Sequence, residues 1–254
     1  MTTHLLVVGG QRCGSTYLSS LLDAHPEITM ARPARPEPKF FCSPDARDLG
    51  LEEYRRRWFG HRTTERVLGD KSTSYLEDPG APRRAAAVLG EAQVVAVLRD
   101  PVERAVSNWR FSTDHGFEDR PLATALEDNL AGETPWDRSR SSVSPFAYLE
   151  RGRYLEQLEP WFEAFPRTTH VCFLDELVAD ARARARLLRD LGVDDCGDLA
   201  SSTAPVNRSL APVGELPAEL LDQLRLYYAE GDRALADRLG RELPWPTSRQ
   251  GART

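Results

Sequence analysis

The chain has 254 residues and a formal charge of −6, a balance that argues against nonspecific nucleic-acid binding. No apolar run approaches the roughly 18 residues that cross a bilayer, and the N-terminal apolar run is too short for a signal peptide. Cys13, Cys42, Cys172 and Cys196 show no CxxC pairing, and the five histidines show no metal spacing. These features lead us to expect a cytoplasmic protein, one domain over residues 1–254, with reduced thiols and no metal, membrane or nucleic-acid partner. Oligomeric state is not readable. Of the 33 lysines and arginines only Lys39 and Lys71 are lysine. A GC-rich coding sequence accounts for the bias. It also singles out two positions where a compact ammonium was kept over a planar guanidinium.

Residues 5–8 (LLVV) predict a buried strand, broken by Gly9 and Gly10. Residues 11–15 make a polar loop, and from Thr16 the apolar residues Tyr17, Leu18, Leu21 and Leu22 recur at helical spacing. Strand, glycine loop and helix together present backbone N–H groups to a phosphate. The spacing from Gly9 to Gly14, followed by Ser15 and Thr16, nearly matches the Walker A loop, but Ser15 stands where the lysine belongs. Arg12 is the loop's only cation. Such a loop holds a phosphate, though not as an ATPase holds a triphosphate.

Residues 28–31 predict a short second strand. The three prolines of RPARPEPKFF (32–41) exclude a regular element. Residues 51–59 read as a charged surface helix, and a short strand ends at Lys71. VVAVL (94–98) is a continuous β-branched run, as expected of a parallel strand covered on both faces. Arg99 and Asp100 follow, and Pro101 opens a helix with Val102, Ala105, Val106 and Trp109 on one face. Residues 128–144 predict a polar loop. Leu155, Leu158, Trp161, Phe162 and Phe165 mark an amphipathic helix disturbed at Pro160. Residues 171–174 predict the last strand, with Asp175 and Glu176 placed for a helix N-terminus. Residues 220–239 predict a helix with Leu220, Leu221, Leu224 and Tyr227 on one face. Strands alternating with helices imply an α/β domain of three layers, a parallel sheet with helices on both faces. Ligands in such sheets bind beyond the carboxyl ends of the strands.

The loop GGQRCGST on the first strand resembles the 5′-phosphosulfate loop of sulfotransferases that use 3′-phosphoadenosine 5′-phosphosulfate (PAPS). VVAVLRDPVERAVSNWRF resembles their second signature, with Arg99 and Ser107 as ligands of the 3′-phosphate. RPEPKFF resembles the family's KEPHFF stretch, which makes Glu37 the general base, with Pro36 in place of the lysine and Lys39 in place of the histidine. VLGDKSTS, followed by Tyr75, resembles EKSP.Y, which gives Lys71 to the transferred group or the acceptor.

The resemblance implies a P-loop kinase-like fold and sulfuryl transfer from PAPS to a hydroxyl, less readily an amine, of a small-molecule acceptor, with 3′,5′-ADP as product and no metal. Arg12, Cys13, Gly14, Ser15, Thr16 and Tyr17 then hold the 5′-phosphosulfate, with Arg12 also catalytic. Arg208 joins the 3′-phosphate site. Lys39, His115, Phe117 and Tyr148 are candidates for the acceptor site, and His61 and His115 are rival bases. The alternatives are a small-molecule kinase, or a nucleotide-binding protein without catalysis on the same fold.

Overall fold

In a computed structural model, which describes residues 2–137, 144–194, 196–197 and 216–247, the chain divides into two compact units. One comprises residues 1–98 and 157–206, the other residues 99–156 and 207–254. The strands are β1 (Thr3–Val7), β2 (Ile28–Met30), β3 (Val67–Lys71), β4 (Gln93–Leu98) and β5 (Thr169–Phe173). The helices are α1 (Ser15–Asp23), α2 (Ala46–Trp58), α3 (Ser74–Glu77), α4 (Ala81–Leu89) and α5 (Pro101–Asp114). They continue with α6 (Leu122–Ala131), α7 (Tyr154–Ala164), α8 (Leu174–Ala179), α9 (Ala181–Asp190) and α10 (Ala218–Leu239).

The first unit is built on one sheet in the order β2-β3-β1-β4-β5, and every pairing is parallel. Side chains alternate between its faces. Leu5, Val7, Val95 and Val97 pack with Leu18, Leu21 and Leu22 of α1, with Leu177 of α8 and with Leu187 and Leu188 of α9. On the opposite face His4 meets the ring of Tyr54 on α2, and Asp70 meets the hydroxyls of Tyr54 and of Tyr75 on α3. Helices on both faces make the expected three layers. β1 is central, so its carboxyl end lies between those of β3 and β4.

Three local expectations are corrected. The segment expected as a helix at 51–59 starts earlier, at Ala46, and breaks its helical backbone at Gly50 (φ 73, ψ −178). It is not purely a surface helix, because Tyr54 is fully buried. The last strand spans Thr169–Phe173, and Leu174 already belongs to α8. α7 runs through Pro160 to Ala164.

In the second unit α5, α6 and α10 share a core that includes Val102, Ala105, Trp109, Leu126, Leu220, Leu224 and Tyr228. Asp100 caps α5, accepting from the N–H groups of Val102 (2.8 Å) and Glu103 (3.4 Å). The Arg225 fork closes on the same carboxylate at 2.8 and 2.6 Å. The buried face of α10 keeps the expected Leu220 and Leu224 and continues through Tyr228 and Leu235 in place of Leu221 and Tyr227. Leu221 and Tyr227 are 36% and 38% exposed, because they sit one residue off that helical stripe. The loop expected at 128–144 begins only after Ala131. Asn129 is drawn into the fold by bonds to the Leu149 N–H (2.8 Å) and to Glu150 (2.9 Å), which keeps that turn helical.

Candidate active site

The loop after β1 is shaped by two residues at positive φ, Arg12 (70°) and Gly14 (86°). Gly14 is the N-cap of α1, and no side chain caps that helix. A glycine cap brings no side chain to the amide end of α1, and such a helix N-terminus behind a glycine loop suits a phosphate. Packing against backbone dictates Gly9, and Gly14 is required by its positive φ with the Leu174 side chain close by. A Cβ on Gly9 would stand 2.5 Å from Val97 Cγ1, and one on Gly14 would stand 2.4 Å from Leu174 Cδ1. Cys13 is fully buried and Ser15 nearly so. Tyr17 sends its hydroxyl away from the loop to the Leu177 carbonyl (3.3 Å), so it offers the loop its backbone.

Register brings the second part of the site to the same edge. Val7 pairs with Lys71, and the Ser72 N–H donates to the Val7 carbonyl at 3.2 Å. Lys71 Nζ lies 2.5 Å from Glu37 Oε1, with the two side chains 12% and 18% exposed. Glu37 Oε2 accepts from both the N–H (2.9 Å) and the hydroxyl (3.0 Å) of Thr73. The irregular 32–41 segment and the end of β3 therefore converge on one carboxylate. Lys39, at φ 48, is exposed, and its N–H donates to Ser72 Oγ at 3.0 Å.

Beneath this pair lies a buried hub. Asp70 is 0% exposed and accepts from Ser72 (3.0 Å), Tyr75 (2.6 Å) and Tyr54 (3.2 Å). Burial pushes its carboxyl up to about 6, against the pull of those three hydroxyls. The Tyr75 oxygen also accepts the Phe41 N–H (3.4 Å). Ser72 and Tyr75 thus tie both ends of the 39–41 stretch to the strand that carries Lys71. Sequence reasoning passed over Asp70, Ser72, Thr73 and Tyr54. The one available signal was an aspartate next to the lysine that ends the strand.

The remaining candidates lie in the second unit. Arg99, its first residue, holds Glu103 through Nε (3.0 Å) and Nη2 (2.7 Å), and the Tyr154 hydroxyl donates to the Arg99 carbonyl (2.7 Å). Ser107 sits half-buried on α5. His115 caps α5, with Nδ1 donating to the Phe111 carbonyl (2.8 Å), and the Phe117 N–H donates to the Ser112 carbonyl (2.9 Å). Tyr148 is a correction. It is fully buried with its hydroxyl on Glu118 (2.8 Å), so its ring is core and presents no acceptor surface. In the first unit, the rival base His61 meets Thr29 Oγ1 at 3.0 Å. Arg208 lies outside the described residues. No helix among the described residues is long and apolar enough to cross a membrane.

A helix N-terminus behind a glycine loop, at the carboxyl edge of a parallel sheet that also carries a carboxylate–lysine pair, marks a P-loop-like α/β fold with a candidate anion site. The sulfotransferase domain model matches residues 2–184, well over half of the sequence. The chain belongs to the sulfotransferase family, which uses PAPS.

Among its relatives, a Caenorhabditis briggsae bifunctional heparan sulfate N-deacetylase/N-sulfotransferase 1 is 32% identical over 166 residues, covering 63% of this chain and 19% of that protein. A mouse heparan sulfate glucosamine 3-O-sulfotransferase 3A1 is 28% identical over 188 residues, covering 73% and 44%. The chain thus spans about a fifth of the length of the bifunctional relatives. The fold matches that of a sulfotransferase from Alicyclobacillus acidocaldarius with a TM-score of 0.74 at 23% identity, covering 96% of this chain and 98% of the other. A mouse sulfotransferase complexed with PAP matches with a TM-score of 0.59 at 16% identity, covering 94% and 88%.

Proposed function

We propose that this sulfotransferase moves a sulfuryl group from PAPS to a hydroxyl, or an amine, of a small-molecule acceptor, with Glu37 as general base. The observation that carries this reading is the Glu37–Lys71 pair at 2.5 Å, at the end of the strand that pairs with the one leading into the glycine loop. The kinase alternative gives way to the family. Of the residues we assign to the donor, the amide end of α1 from Gly14 to Tyr17 and the hydroxyls of Ser15 and Thr16 would hold the 5′-phosphate. Arg99 and Ser107 would serve the 3′-phosphate, with the Arg99 fork exchanging Glu103 for it. Arg12 would neutralise the bridging oxygen as its bond to sulfur breaks. Lys71 would balance charge on the sulfuryl oxygens beside the base.

In this scheme the acceptor O–H gives its proton to Glu37. The freed electron pair forms the new bond to sulfur, and the bond from sulfur to the 5′-phosphate oxygen breaks, leaving 3′,5′-ADP. The heparan sulfate sulfotransferases among its relatives favour a second reading of the acceptor, a glucosamine-containing saccharide. Mass spectrometry of products formed with PAPS, from a panel holding both small alcohols or amines and glucosamine oligosaccharides, decides between the two.

Glu37→Gln tests the base. It keeps the shape and removes the basicity, so turnover falls by about two orders of magnitude while 3′,5′-ADP binding is retained. Near-normal turnover in Glu37→Gln, with loss in His61→Ala or His115→Ala, would reassign the base.

A further inference from the structure

We infer that Thr73 is a positioning residue that saturates Glu37 Oε2 and leaves Oε1, beside Lys71, as the atom that takes the acceptor proton. The inference rests on the assignment of Glu37 as base. A carboxylate oxygen has two lone pairs, and Oε2 already accepts both the N–H and the hydroxyl of Thr73, at 2.9 and 3.0 Å. Oε1 accepts only Lys71 Nζ among the described contacts, at 2.5 Å, so one lone pair stays open on it.

A second observation shows that this contact is specific. Thr73 is the N-cap of α3, where a threonine hydroxyl ordinarily accepts from the helix amides. No side-chain cap bond forms there. The hydroxyl gives up capping and donates to Glu37 instead. The backbone around the base is held separately, by Ser72 Oγ on the Lys39 N–H and the Tyr75 hydroxyl on the Phe41 N–H. Thr73 therefore orients the carboxylate and is not needed to hold the segment. In the transfer step the acceptor O–H bond breaks and an H–Oε1 bond forms. The electron pair stays on the acceptor oxygen for its bond to sulfur. Lys71 lies next to the proton as it arrives.

The test compares Thr73→Val, which keeps the N–H and loses the hydroxyl, with Thr73→Ser, which keeps both. Sulfuryl transfer is followed on two probes, water (PAPS hydrolysis) and a glucosamine oligosaccharide, with 3′,5′-ADP binding measured by calorimetry. A hydrogen bond to a charged group corresponds to about a tenfold change in rate or more. The expected result is a kcat about tenfold lower in Thr73→Val, with KM and 3′,5′-ADP affinity within twofold of the parent, and recovery in Thr73→Ser. Wild-type kcat in Thr73→Val, or equal loss in Thr73→Ser, overturns the inference while the base assignment stands, provided Glu37→Gln is impaired. Normal turnover in Glu37→Gln overturns both. A Thr73→Val protein that loses 3′,5′-ADP binding as well shows a structural role, which also overturns the inference.

Discussion

Asp70→Asn is the substitution through which the hub beneath the site can be weighed. The carboxyl is fully buried and sits at about 6, above its ordinary 3.8, with burial as the leading cause. The folded state therefore binds its proton more tightly than the unfolded chain does. The stabilisation from this group is fully present below pH 3.8 and is lost as pH rises through about 6. At about 1.4 kcal/mol per unit, the complete swing is about 3 kcal/mol.

Between pH 5 and pH 8 the same two values give about 1.4 kcal/mol, since much of the titration falls below that window. Asparagine retains the shape and an acceptor oxygen for the tyrosine hydroxyls, and it does not titrate. Urea unfolding of wild type and Asp70→Asn at several pH values isolates this term, because every other carboxylate cancels in the difference. The stability of Asp70→Asn relative to wild type should rise by about 1.4 kcal/mol from pH 5 to pH 8. A difference that stays flat across that range refutes the reasoning and means the hydroxyls of Ser72, Tyr54 and Tyr75 hold the anion at no net cost.

Two further outcomes concern the donor. Arg99→Ala should weaken 3′,5′-ADP binding by about tenfold or more, the worth of a charge-assisted contact, and leave 5′-AMP nearly unchanged; equal loss for both nucleotides in calorimetry removes Arg99 from the 3′-phosphate. Arg12→Ala should lower kcat far more than it raises the dissociation constant for 3′,5′-ADP, because charge on the bridging oxygen develops only as the bond breaks. Normal kcat with weakened binding sinks that assignment.

The glycine loop, the helix behind it and the strand leading to Arg99 were legible in the sequence because each is a local device. A positive φ at Gly14, a β-branched run at β4 and a proline at the first turn of α5 are set by the chain's own sterics within a few residues. Lys71 stood out as one of two lysines, but the roles of Lys71 and Glu37 came only from the resemblance of VLGDKSTS and RPEPKFF to the family's stretches. That they meet is a tertiary fact. Their 34-residue separation is closed by the β2-β3-β1 order, which no local pattern encodes.

The hub was illegible for the same reason. Asp70 looked like one polar residue near a strand end until α2 and α3 brought Tyr54 and Tyr75 onto its face of the sheet. Tyr148 shows the converse. Its sequence neighbourhood was consistent with an acceptor surface, and only packing against Glu118 placed it in the core. Composition and periodicity determine which elements form and which backbone groups they present. Which oxygen of Glu37 is left to accept a proton depends on hydrogen bonds between residues 34 and 36 positions apart, and only the folded packing supplies them.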